Sequence, residues 1–248
     1  MKNLLIAQSG GPTVAINATL AGIITGACVS GSIDKVYGAV NGIQGVLEDH
    51  FVNLNELILD TGCVELLCQT PAAALGSCRF KLKNPKEDSS QYKRIVEVLQ
   101  KHNIGYFIYI GGNDSMDTVD KLSKYLIENN IDDIKVVGAP KTIDNDLAET
   151  DHCPGFGSAA KYIATTFSEL ERDCSVYNIP AVTIVEVMGR NAGWLTAASA
   201  LARLNGERGP SLIYLCEIPF SIDKFVEDVK SELEKHPDVI VAISEGIK

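Results

Sequence analysis

Short apolar runs alternate with amphipathic stretches along the whole chain, a pattern that admits few folds other than a parallel sheet covered by helices. The candidate strands are Asn3–Ala7, Lys35–Val40, Gly105–Ile110, Lys135–Ala139, Ala181–Val187, Ser211–Glu217 and Val239–Ser244. The candidate helices between them are Val14–Ser30, Ser90–Asn103, Ser115–Asn129, Ser158–Cys174, Gly193–Asn205 and Ile222–Lys235. Ile95, Val96 and Leu99 fall on one helical face of the second of these. Ser158 and Ser221 stand where N-caps are expected, and Asp117 and Asp120 put acid early in their helix. The fold class expected is α/β: two Rossmann-like domains with mainly parallel sheets covered by helices. Pro154, Gly155 and Gly157 mark a break, giving domains at 1–155 and 156–248. Only four residues follow Val239–Ser244, which reads as a buried strand, so the second domain is expected to be incomplete. The stretch from Asn41 to Ser89 looks irregular, and connections of that length are often functional.

With 46% apolar and 22% charged residues among 248, the chain can build a substantial core. Its net charge of −10 argues against a nucleic-acid-binding surface, which needs a basic footprint. An anionic substrate must therefore be met by local cations. No apolar run approaches the roughly 18 residues of a membrane span, and the apolar start is too short for a signal peptide. The seven cysteines are odd in number and form no C-x-x-C, which reads as buried, reduced thiols in a cytoplasmic protein. The four histidines share no metal or triad spacing.

Three strand ends carry unusual residues, and open α/β sheets bind ligands at the carboxyl ends of their strands. Ser9-Gly10-Gly11-Pro12 follows the first strand; its glycines let backbone amides approach a phosphate, although Gly-Gly-Pro is equally a plain turn. Gly111-Gly112-Asn113-Asp114-Ser115 opens a helix, with Asn113 and Asp114 as hard oxygen ligands for Mg²⁺ or its waters, or Asp114 or Ser115 as a simple N-cap. In Pro140-Lys141-Thr142-Ile143-Asp144-Asn145-Asp146, a lysine that can neutralise phosphate oxygens stands beside two carboxylates. One aspartate can take a hydroxyl proton and the other can orient that site or a metal; the alternative is a polar turn. Arg190, on the glycine-flanked turn after Glu186-Val187-Met188-Gly189, can grip a phosphate bidentately. Arg79 is a further loop cation.

Taken together, these runs resemble the phosphofructokinase family in order and spacing across nearly the whole chain. The match rests on GGP at 10–12, GGNDS at 111–115, PKTIDND at 140–146, PGFGSAAKYIA at 154–164, VEVMGRNAGWL at 185–195 and ISEG at 243–246. The resemblance implies phosphoryl transfer to fructose 6-phosphate, with Mg²⁺ required. It assigns Asp144 the general-base role and Asp146 a supporting one. It sets Thr142, Met188, Gly189, Arg190 and Glu245 against the sugar phosphate, and Gly11, Arg79, Asn113, Asp114 and Ser115 around the donor, with Asn113 at the metal. Relatives that use ATP typically show glycine where this chain has Asp114 and Lys141. Acid at the first position fills the space of a nucleotide phosphate, and the lysine can hold pyrophosphate, so both point to the pyrophosphate-dependent branch and to reversible transfer. An ATP-dependent enzyme and a non-catalytic phosphate-binding subunit are the alternatives. The chain departs from the family at Asn113, where an aspartate is common, and at Ala181, where ATP-using relatives carry an arginine. The family also continues beyond Glu245. A sugar site shared between subunits implies a homodimer or homotetramer.

Overall fold

The structure, a computed structural model, describes residues 1–55, 61–206 and 208–248. Contact density divides it into two compact units, Met1–Lys141 and Thr142–Lys248. The division falls after Lys141, whereas the sequence suggested a break at Gly155: Thr142 and Ile143 already belong with the second unit through backbone pairing and core packing.

In the first unit, β1 (Lys2–Gln8) is central. The sheet order is β3-β2-β1-β4-β5, with β2 at Ile33–Ala39, β3 at Phe51–Asn53, β4 at Ile104–Gly111 and β5 at Lys135–Pro140. Every pairing is parallel except β2 with β3. The run Leu4-Leu5-Ile6-Ala7 is apolar throughout because both faces of β1 are covered. Leu5 and Ala7 join Phe107 and Tyr109 under α4 (Ser90–Lys101) and α5 (Asn113–Glu128). Leu4 and Ile6 face Ile16, Leu20 and Ile24 of α1 (Val14–Ser30). With β2 and β4 on opposite sides of β1, the winding reverses between β1 and β4, and ligands of open α/β sheets bind at such switch points.

Among the described residues, three elements lie in the stretch read as irregular: α2 (Gly42–Leu47), the antiparallel β3, and α3 (Thr61–Gln69). Two are shorter than a periodic pattern can reveal. Positions 56–60 of that stretch lie outside the described residues.

The second unit holds a parallel sheet ordered β6-β8-β7, with β6 at Ala181–Val187, β7 at Leu212–Tyr214 and β8 at Asp238–Ser244. β7 is shorter than the expected Ser211–Glu217. Its core joins Val187, Ile240 and Ala242 to Phe167 of α6 (Phe156–Cys174), Leu195 of α7 (Trp194–Ala198) and Ala202. The helix expected over Gly193–Asn205 tightens to a 3₁₀ turn at Ser199–Asn205, where the Ser199 hydroxyl bonds back to the Thr196 carbonyl at 2.6 Å. α8 (Ile222–Leu233) is capped by Ser221 as expected, its Oγ accepting from the Lys224 N–H at 3.4 Å. Ser158 is not a cap: α6 starts earlier, from Gly155. Nor do Asp114 or Ser115 cap α5, which starts from Gly112; Asp117 and Asp120 instead pair with Lys121 and Lys124 along that helix. None of the seven cysteines forms a disulfide; Cys153 is buried as expected, whereas Cys28 and Cys68 are exposed and the others half-buried. No described helix is long and apolar enough to cross a membrane.

Candidate functional site

In the first unit the loops after β1, β4 and β5 gather at the switch point. The Ser9 N–H donates to the Ile110 carbonyl at 2.9 Å, and the Lys141 N–H donates to the Gly111 carbonyl at 2.8 Å. Both bonds carry the strand ladder one residue past the sheet. The buried side chain of Lys141 then turns over the β1 loop, its ammonium 3.7 Å from where a side chain on Gly11 would begin. A strap at 75–79 closes the loop from the other side. The Gly10 N–H donates to the Cys78 carbonyl at 3.3 Å, and the Ser77 hydroxyl donates to the Gly10 carbonyl at 2.6 Å.

Beneath this loop runs a chain of hydroxyls. Ser9 and Ser115 share a short hydrogen bond, Ser9 also bonds to the Tyr109 phenol, and the Ile43 N–H donates to that phenol at 3.2 Å. Burial holds the Tyr109 phenol far above its ordinary range, so it stays neutral. Gly111 has to be glycine, since any side chain there would strike the Ser115 and Ser9 hydroxyls. Ser115, expected at the donor, is buried with its hydroxyl turned into this chain. Arg79, Asn113 and Asp114 are exposed. Asp114 forms an ion pair with Lys81 at 2.9 Å. Sequence reasoning missed Lys81. The signal was there in Arg79-Phe80-Lys81-Leu82-Lys83, where cations alternate with apolar residues; Leu82 is buried while all three cations are exposed.

In the second unit Thr142 organises the two carboxylates. Its hydroxyl donates to Asp146 Oδ1 at 2.9 Å and accepts from the Asp144 N–H at 3.1 Å. Thr142 itself is buried, its N–H donating to the Pro154 carbonyl at 3.1 Å. Asn145 takes the left-handed conformation, and its amide spans the loop, accepting from the Cys153 N–H at 2.8 Å and donating to the Asp151 carbonyl at 3.2 Å. The aspartates therefore sit on a fixed frame.

The remaining groups gather at the carboxyl ends of β6 and β8. The Glu245 N–H donates to the Val187 carbonyl at 3.0 Å, and its Oε1 accepts from the Gly189 N–H at 3.3 Å. Gly189 adopts φ +126°, a conformation glycine enters without strain. Met188 and Arg190 project, exposed, on either side of it. Glu217, also missed in the sequence, accepts from the Gly193 N–H at 2.7 Å and so anchors the far end of this loop; that bond holds its carboxyl below the usual range.

Two strand-end clusters, one rich in cations and backbone amides and one carrying a framed pair of carboxylates, define an α/β protein whose polar loops gather where open sheets bind their ligands. The chain belongs to the phosphofructokinase family, whose model, "Phosphofructokinase", matches residues 3–248. It is 43% identical over 244 residues to a pyrophosphate–fructose 6-phosphate 1-phosphotransferase of Rhodospirillum rubrum, covering 98% of this chain and 58% of that protein. A protein of the same name from Xanthomonas campestris is 44% identical over 248 residues, covering 99% of this chain and 58% of the relative. The crystal structure of a pyrophosphate-dependent phosphofructokinase from Marinobacter aquaeolei superposes with a TM-score of 0.86 at 41% identity, over 100% of this chain and 61% of that one. The chain thus spans about three fifths of the length of these relatives.

Proposed function

We propose that this chain moves a phosphoryl group from pyrophosphate to the 1-hydroxyl of fructose 6-phosphate, giving fructose 1,6-bisphosphate and phosphate. The observation that carries this reading is the Lys141 ammonium lying over Gly11. A buried lysine at a glycine turn offers a point charge and nearby backbone N–H groups to a compact polyanion. Asp114 at the start of α5 adds bulk and negative charge, which suits a nucleotide poorly. The names of the relatives support the same donor.

In this reading the first unit takes the donor and the second takes the acceptor. Asp144 accepts the proton of the 1-hydroxyl as its oxygen attacks phosphorus. The bridging P–O bond breaks and its electrons leave with inorganic phosphate. Asp146, held by Thr142, keeps the loop in place. Arg190 pairs with the sugar 6-phosphate, while Met188, Gly189 and Glu245 line the acceptor side, with Glu245 also fixing the turn. Gly11, Arg79, Lys141 and the start of α5 receive pyrophosphate, and Ser115 braces that start from below.

No cluster of three or more His, Cys, Asp or Glu able to hold a metal occurs among the described residues. Asn113, exposed at the start of α5, instead fits a Mg²⁺ that arrives with phosphate and water ligands and needs few from the protein. Bound there, the ion would supply charge neutralisation on the transferring group. The reading includes a cytoplasmic setting and a homo-oligomer. It is tested by assaying this chain with fructose 6-phosphate and each donor in turn. Bisphosphate formed with pyrophosphate supports it; product formed with ATP alone overturns it.

A further inference from the structure

The donor side poses an electrostatic problem. A carboxylate at position 114 repels the polyanion that the proposed function brings there, yet Asp114 stands in the first turn of α5. The ion pair with Lys81 at 2.9 Å answers it. The two side chains remain 68% and 66% exposed, and a pair so open to water adds next to nothing to folding stability. Such a pair is also easily exchanged: a phosphate oxygen can share Lys81 with Asp114 or take it over. The segment that carries Lys81 is fixed on one side by Leu82, buried in the core, and on the other by the strap whose Ser77 and Cys78 bond to Gly10. The lysine is therefore tethered at its root and steered at its tip, on the same loop system that bears Gly11 and Lys141.

We propose that Lys81 is a donor-binding residue and that Asp114 is its positioning residue, holding it toward pyrophosphate. This rests on the pyrophosphate reading above. Three consequences follow from the charges. Removing Lys81 leaves Asp114 as an uncompensated negative charge beside the donor. Removing both groups relieves that repulsion, so the double variant binds better than the lysine variant alone. Arginine, which keeps a cation at the same root, restores much of the binding.

The test is a calorimetric titration of the whole chain with pyrophosphate for the wild type, Lys81→Met, Asp114→Asn, the double variant and Lys81→Arg. Fructose 6-phosphate affinity is measured in parallel as a control for folding. Lys81→Met is expected to weaken pyrophosphate binding about tenfold or more, the scale of one charge-assisted hydrogen bond. Asp114→Asn in that background should recover most of the loss, with fructose 6-phosphate binding unmoved throughout. If Lys81→Met binds pyrophosphate like the wild type, or the double variant is no better than Lys81→Met, the inference is wrong although the donor reading stands. If the wild type does not bind pyrophosphate, the donor reading fails and takes the inference with it.

Discussion

Asp144 carries the chemistry of the account, and its surroundings separate it from Asp146. Both carboxylates belong to one loop, but the Thr142 hydroxyl donates to Asp146, whereas it is the Asp144 backbone N–H that the same hydroxyl accepts from. Replacing Asp144 therefore leaves the Thr142–Asp146 frame in place. Asp144→Asn is expected to lower kcat by at least about 10²-fold, the contribution of a positioned base, with little change in KM for fructose 6-phosphate. Steady-state kinetics with both substrates varied checks this, and an unchanged kcat removes Asp144 from the base role. At this scale the sequence was informative where a residue type has few uses. A lysine and two aspartates after an apolar run are compatible with phosphate chemistry or with a plain polar turn, and it was the neighbouring motifs that favoured the first. Lys81 and Glu217 escaped notice because each acts through a partner distant in the chain, Asp114 and Gly193.

At the scale of elements, the loops work because neighbouring strands and helices fix both of their ends. The loop bearing Met188, Gly189 and Arg190 leaves β6 and enters α7, with Glu245 bonded near its start and Glu217 at its end. The Gly193 N–H lowers the Glu217 carboxyl below the ordinary glutamate value of 4.5. A carboxyl lowered in the folded state contributes stability above its unfolded pKa, and that contribution is lost as pH falls through the folded pKa. The stability advantage of wild type over Glu217→Gln should hold above about pH 4.5 and shrink below it, as thermal unfolding over a pH series would show. A constant difference across that series removes the carboxylate's role. The long strands were legible because fully buried strands read as unbroken apolar runs, and the long helices because they keep one apolar face. β3 and α2 were not legible: both are too short to show a period, and β3 is defined by the tertiary pairing of Phe51–Asn53 with Tyr37–Ala39. The boundary at Lys141 was hidden for a related reason. Pro154, Gly155 and Gly157 punctuate the chain locally, while unit membership is set by where Thr142 and Ile143 find partners.

Over the whole molecule, charge and topology set the terms. A chain of net charge −10 has no general attraction for phosphates, so the phosphate selectivity proposed for it would rest on local cations. In the first unit these are Arg79, Lys81 and Lys141; in the second, Arg190. The run Pro140–Asp146, which looked like one loop in the sequence, spans both units: Lys141 closes the first and Thr142 opens the second. Under the proposed function, this one short segment would supply both a donor-binding lysine and the proton acceptor. The claim that depends most on this arrangement is the identity of the donor. Titrating the chain with pyrophosphate and, separately, with ATP under one buffer and salt condition tests it most directly. Pyrophosphate is expected to bind at least about tenfold more tightly, because Lys141 and its neighbours favour the smaller anion while Asp114 opposes the nucleotide. ATP binding as tightly as pyrophosphate, or more so, would contradict the account.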